Sequence, residues 1–285
     1  MGLLCRKICE PDLDAVADLL VRGFPIHRKS YWTAGLARLS DRAPIDEYPR
    51  YGYLIESDDA VVGVVLTIFS ERRIDGGTQV RCNMSSWHVA PNFQGYAPLM
   101  VSAALRHKEV TYVNVSPAPH TLPIIEAQGF RRFCDGQVIC VPAFNKFVKG
   151  ARIYDFDLTR GHTKALTADE RELIAEHVKQ GCVALNCVFE GRVYPFVFIP
   201  RTRLRGKIPC LHLAFCRRVE DFVNFAGPLG RALLRRRHGL IIVDSNAPIP
   251  GLAGRYFADL GPKYFRGPTA PALGDLSYTE GVYFH

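Results

Sequence analysis

The feature that most limits how this chain can fold is that its second half repeats the first half's order of structural signals. GYAPLMVSAALRHKEVTYVNVSPAP (residues 95–119) and FAGPLGRALLRRRHGLIIVDSNAP (residues 225–248) each carry a Pro-Leu pair, a helical stretch and a β-branched strand at matching distances. The surrounding segments fall into step with them. In the first half, RKICEPDLDAVADLLVRGF reads as a short strand, a turn at Glu10-Pro11-Asp12 and an amphipathic helix. Leu13, Val16, Ala17, Leu19 and Leu20 lie at helical spacing, with Asp12 the expected N-cap and Gly23 the expected stop. A second helix is expected around Tyr31–Leu39. Ser57-Asp58-Asp59 parts two apolar runs as a hairpin turn, Gly76-Gly77 marks another, and QVRCNMSSWHV completes a three-stranded meander. A short helix over 120–128 ends at Gly129-Phe130. The predicted order is β-α-α-β-β-β-α-β-α-β, a mixed α/β layer.

The second half offers an N-capped helix in LTADERELIAEHVKQG and a hairpin turning at Glu190-Gly191. KIPCLHLAFCRR is the next strand, and RYFADLGPKYF echoes PIIEAQGFRRF. The repeat therefore predicts two α/β domains in tandem, residues 1–149 and 150–285. Length agrees, since single cores stop growing near ~250 residues.

Composition sets the class. Apolar residues make up 48% and charged residues 22%, as in ordinary globular chains. No apolar run approaches the ~20 residues that span a bilayer. MGLLCRKICEPD lacks the apolar core and cleavage site of a signal peptide. A cytoplasmic protein with no membrane partner is the expectation. The nine cysteines include no CxxC, and the pairs Cys5/Cys9, Cys134/Cys140, Cys182/Cys187 and Cys210/Cys216 are too loosely spaced for a zinc knuckle. Reduced structural thiols and no metal are expected.

VAPNFQGYAPLM (residues 89–100) has the form of a strand end, a glycine and a helix start, a place where unpaired backbone N–H groups can hold an anion. Val89, Pro91, Gln94 and Ala97 fit the pyrophosphate motif V-x-P-x-x-(Q/R)-x-x-(G/A)-x-(G/A), with Leu99 in the final small-residue position. Further on, Glu126, Gly129 and Phe130 fit the closing A-x-x-L-Y-E-K-L-G-F helix, with Ile125 in the tyrosine's place. On these residues the first half resembles the GNAT acyltransferase superfamily, and the second half resembles a degenerate second copy.

The resemblance implies two GNAT-like acyl-CoA N-acyltransferase folds and acetyl-CoA or another acyl-CoA as co-substrate. The pyrophosphate would lie at Val89, Gln94, Gly95, Tyr96, Ala97 and Leu99, with Pro98 lacking an N–H. It also implies acyl transfer to an amine or hydroxyl of a small molecule or protein, which needs a base and an acid near the thioester. His88, His120, Ser116 and Tyr96 are the candidates for these roles. Phe24, Tyr31, Trp32, Tyr48 and Tyr51 are candidates for an aromatic acceptor wall or for core packing.

Two other classes stay open. Residues 151–285 carry 19 Lys/Arg against 13 Asp/Glu, while residues 1–150 carry 17 against 15. The basic runs RTRLRGK (201–207) and RRRH (235–238), with Arg201, Arg203 and Arg205 alternating, suit a tRNA-dependent transferase or a solvated edge and a cationic helix end. A non-catalytic acyl-CoA-binding module is the other alternative.

Overall fold

The computed structural model describes residues 2–45, 47–74, 77–203 and 208–285. Its first half runs β1 (Leu3–Lys7), α1 (Leu13–Gly23), α2 (Lys29–Ser40), β2 (Gly52–Ser57), β3 (Ala60–Ile74), β4 (Gly77–Val89), α3 (Ala97–Ala104), β5 (Thr111–Asn114), α4 (Leu122–Ala127) and β6 (Arg131–Cys140). The second half follows with β7 (Arg152–Asp155), α5 (Ala168–Lys179), β8 (Val183–Phe189), β9 (Arg192–Arg203), β10 (Ile208–Cys216), α6 (Val219–Leu234), β11 (Ile241–Ser245), β12 (Gly254–Arg266) and α7 (Glu280–Tyr283). The class is mixed α/β; the first half has the predicted order, whereas the second half has one α-helix before its meander and none between β11 and β12.

Two compact units form. Unit 1 comprises Met1–Arg131, Tyr264–Ala270 and Tyr278–His285, and unit 2 comprises Arg132–Lys263 and Pro271–Ser277. In unit 1 the strands lie in the order β1-β2-β3-β4-β5, and Tyr264–Arg266 of β12 pairs antiparallel with Asn114–Tyr112 of β5. In unit 2 the order is β6-β11-β10-β9-β8-β7, with β6 antiparallel to β11. Each half's last strand thus lends residues to the other unit. The repeat, divided at Lys149 and Gly150, and the compact units, divided at Arg131, partition the chain differently for that reason.

Local chemistry explains most turns. Asp58 and Asp59 both take positive φ, 48° and 62°, as do Glu190 and Gly191 at 48° and 74°. Two left-handed residues make a hairpin loop whose twist matches its strands. Gly76 of the remaining predicted turn lies outside the described residues. The closing Gly-Phe of α4 is a Schellman cap: Gly129 has φ 84°, its N–H donates to Glu126 O at 2.9 Å, and the Phe130 N–H donates to Ile125 O at 3.0 Å. Phe130 and Ile125 then meet in the core.

That core packs Met100, Val101 and Ala104 of α3 against Tyr53, Val65, Cys82, Met84 and Tyr112. Unit 2 packs Phe222, Phe225, Leu229 and Leu233 of α6 against Phe196, Phe198, Leu211 and Val243. All nine cysteines are free and seven are buried. Burial pushes the Cys140, Cys182 and Cys187 thiols up to about 12, so they behave as small apolar side chains.

Three sequence expectations change. Gly23 does end α1, but a Cβ there would lie 2.4 Å from the His88 ring, so close packing requires the glycine. Pro228 lies inside α6, nine residues after Val219, whereas Pro98 sits in the first turn of α3. The two prolines are therefore not equivalent. Cβ atoms at Gly227 and Gly230 would meet Lys146 O at 2.1 Å and Ala143 N at 2.2 Å, so AGPLG is where backbone crosses a helix. Finally, Leu260 and Gly261 lie within β12 and close no helix.

Candidate active site at the parting of two parallel strands

In unit 1, β4 and β5 run parallel through three registered pairs, Arg81↔Thr111, Cys82↔Tyr112 and Asn83↔Val113. Strand β5 ends at Asn114, while β4 continues to Val89. Against β3, the pair Leu66↔Ser85 is followed by Val64↔His88, so β4 carries one extra residue, and Ser86 takes φ 51°. Such a bulge bends its strand and ends pairing on that side. The two strands part here.

Beyond the bulge, β4 feeds a short 3₁₀ turn (Pro91–Tyr96) and then α3, whose N-cap residue Tyr96 makes no side-chain cap bond. Pro98 costs α3 nothing, because first-turn N–H groups have no intrahelical partner. Gln94, Gly95, Tyr96 and Leu99 are exposed, whereas Val89 is buried and the Ala97 amide donates to Gln94 O. Leu99 is 48% exposed, so its bulk projects into solvent.

Cys82 and Met84 join the core beneath α3, which leaves Asn83 on the opposite face. Its Oδ1 accepts the Glu280 N–H at 2.6 Å, and its Nδ2 donates to Met84 O at 2.8 Å. Ser116, just past β5, donates its hydroxyl to the Glu280 carboxylate, and this pair is solvent-exposed. The last residues of the chain are tightly held. Arg38 donates to Tyr283 O at 2.7 Å and Tyr31 Oη to Phe284 O at 3.2 Å. Gly281, Val282, Tyr283 and Phe284 are buried, and a Cβ at Gly35 would lie 2.1 Å from the Phe284 ring.

The candidates from sequence divide. Ser116 stands at the opening. His88 follows the bulge, but its ring packs on Gly23 and Phe24, and burial together with the Arg22 charge lowers its pKa. His120 is exposed in a 3₁₀ turn and Tyr96 is 48% exposed. Ile125, in the place of the family's tyrosine, is buried in the core. Phe24, Tyr31 and Trp32 gather with Phe284, whereas Tyr48 stacks on Phe69 and Tyr51 donates to Glu10. Sequence reading passed over Glu280 and Asn83. No local motif marks either, because they meet across 197 residues of chain.

Unit 2 has its own parallel pair. Strands β10 and β11 align at Leu211↔Ile241 and His212↔Ile242, and a register shift follows between Leu213 and Phe215. Past that bulge the edge of β10 is taken by its own chain: Leu276 N–H donates to Ala214 O at 2.7 Å and Cys216 N–H to Gly274 O at 3.1 Å. Beside it lies a buried polar row. Asp244 Oδ1 accepts from Lys263 Nζ at 2.7 Å, His212 Nε2 at 3.0 Å and Gln137 Nε2 at 3.1 Å. Burial opposes ionisation of Asp244, but His212 and Lys263 outweigh it and hold the carboxyl well below the usual range. Burial lowers the pKa of His212 against the opposing pull of Asp244.

The basic runs are partly committed. Arg203 donates to Gln137 Oε1 at 2.8 Å and Arg236 pairs with Asp155 at 2.7 Å, just past the end of α6. Residues 204–207, Arg205 among them, lie outside the described residues. Among the described residues no group of three His, Cys, Asp or Glu is placed to hold a metal, and no helix is long and apolar enough to cross a membrane.

No family model and no curated protein matches the sequence. Solved structures do match. A GCN5-related N-acetyltransferase from Kribbella flavida aligns with TM-score 0.60 at 14% identity, over 93% of this chain and 71% of its own. One from Anabaena variabilis gives 0.59 at 10% identity, over 93% and 72%. One from Sphaerobacter thermophilus gives 0.54 at 15% identity, over 96% and 98%. The chain has the GCN5-related N-acetyltransferase fold.

Proposed function

We propose that unit 1 binds acetyl-CoA or another acyl-CoA and transfers the acyl group to an amine or hydroxyl of a small molecule or protein. The observation that carries this is the parting of β4 from β5, with a bulge in β4 and an α3 start that no side chain caps. A parted parallel pair leaves room for an extended pantetheine arm, and helix-start amides suit a pyrophosphate. Gln94, Gly95, Tyr96 and Leu99 would supply that contact by backbone, and their exposure supports it. Ala97 contributes less, its amide being bonded within the turn. Ser116, just past the end of β5, would lie near the thioester in this reading.

Unit 2 is read as a scaffold, because residues 274–276 line the edge that an acyl-CoA arm would need. The tRNA-dependent alternative draws less support, since Arg203 and Arg236 are engaged within the protein. Nine free thiols support a reducing, cytoplasmic setting.

The test is thermal unfolding with added CoA, followed by thiol release from acetyl-CoA across an amine panel. A ligand specific to the folded state raises the melting point. No shift at millimolar CoA would contradict the proposal. A shift without turnover would convert it to the non-catalytic binding module.

A further inference from the structure

The side chain best placed for chemistry at the unit 1 opening belongs to none of the motifs. We propose that Glu280 is the proton acceptor for acyl transfer, positioned by Asn83 and Ser116; the inference rests on the acyl-CoA reading of unit 1. Three observations converge on it. The Glu280 main chain is pinned at the last registered pair of β4 and β5, its N–H 2.6 Å from Asn83 Oδ1. Its carboxylate accepts the Ser116 hydroxyl at the solvent-exposed side of the same opening. The residues that follow are buried and anchored by Arg38 and Tyr31, so the carboxylate is delivered from a rigid support. Precise placement of an acid–base group is what makes it effective.

His88 is the rival base, but its ring is spent on Gly23 and Phe24. Glu280 is half-buried beside the exposed Ser116, within reach of the opening, and its carboxylate can accept a proton.

The acceptor amine attacks the thioester carbonyl carbon through its nitrogen lone pair, forming the C–N bond. The nitrogen of the adduct, now acidic, gives one proton to the Glu280 carboxylate. The C–S bond breaks with its electron pair leaving on sulfur, and the thiolate takes a proton from solvent. Glu280 returns its proton to solvent, so one proton has moved in net from nitrogen to sulfur and the products are an amide and CoA thiol. The Ser116 hydroxyl holds the carboxylate toward the opening throughout.

Glu280→Gln keeps the N–H donated to Asn83 and a side chain able to bond Ser116, so folding should be preserved. With acetyl-CoA and the amine panel, kcat for thiol release should fall ~100-fold or more, the range general-base removal produces. KM for acetyl-CoA and the melting point should stay unchanged. Glu280→Ala should regain turnover when formate is added, since a free carboxylate can replace the missing one. Wild-type kcat in Glu280→Gln, or no formate response in a folded Glu280→Ala, would overturn the assignment while leaving the acyl-CoA reading intact. A wild-type protein that neither binds CoA nor releases thiol would overturn both.

Discussion

Unit 1 and unit 2 each contain a pair of parallel strands that part beyond a bulge, and they differ in what arrives at the gap. In unit 2 the arriving groups are backbone: residues 274–276 bond the edge of β10 through an isolated bridge at Phe215↔Asp275. In unit 1 they are side chains, with Asn83, Ser116 and Glu280 converging where β4 and β5 separate. The difference shows that a parted strand pair is not by itself a site. A strand edge exposes donors and acceptors that must be satisfied, and a chain can satisfy them with its own backbone or leave room for a ligand. The polar side chains follow the same division. Unit 2 buries Asp244, His212 and Lys263 against one another, whereas the Ser116–Glu280 pair of unit 1 stays open to solvent.

The largest expected effect comes from breaking the buried row. Lys263→Met leaves Asp244 buried without its cation, which should cost ~3–5 kcal/mol in urea unfolding, the range for removing one partner of a buried pair. Adding Asp244→Asn should recover part of that loss. A loss under ~1 kcal/mol, the scale of an exposed pair, would mean that the row is not held as described.

Next comes the bridge along β10 in unit 2. Leu276→Pro removes the N–H donated to Ala214 and should cost ~1–3 kcal/mol as an unsatisfied acceptor. CoA affinity should not change, because the proposed site is in unit 1. A large change in affinity would move the site or merge the roles of the two units.

Leu99→Asp sharpens the comparison from the other side. A carboxylate in the first turn of α3 favours the helix dipole, so stability should hold or rise slightly. The same charge repels a pyrophosphate, and CoA should bind at least ~10-fold more weakly, about 1.4 kcal/mol. Unchanged affinity would take α3 out of the proposed contact.

The smallest effect is the pH dependence. Burial lowers His88 in unit 1 and His212 in unit 2, so each binds its proton less readily when folded. Their contribution is fully present above the unfolded value, ~6.5, and is lost as pH falls through the lower folded values. Asp244, also lowered, adds a further loss below its unfolded value near ~3.9. The urea midpoint should therefore be lower at pH 5.5 than at pH 7.5. A higher midpoint at pH 5.5 would contradict the assigned burial.

The fold was legible where it depends on neighbouring residues. Asp58-Asp59 and Glu190-Gly191 set hairpins through their own left-handed backbones, and Gly129-Phe130 caps a helix through bonds to Glu126 and Ile125. Pro98 was likewise legible as a first-turn proline. What depended on distant chain was not. Pro228 looks like a helix start in sequence, yet α6 runs through it where residues 143–146 cross. The exchange of β6 and β12 leaves no local trace. Of the candidate site, Ser116 was visible because it follows a recognisable strand. Glu280 was hidden, being 164 residues away in a segment with no motif of its own.

The central claim is that the chain offers one acyl-CoA site, in unit 1, while unit 2 has closed its own opening. Isothermal titration of CoA into the purified protein tests this most directly. One CoA per chain, with affinity weakened by Leu99→Asp and unchanged by Leu276→Pro, is the predicted result. Two CoA molecules per chain, or none, would contradict it.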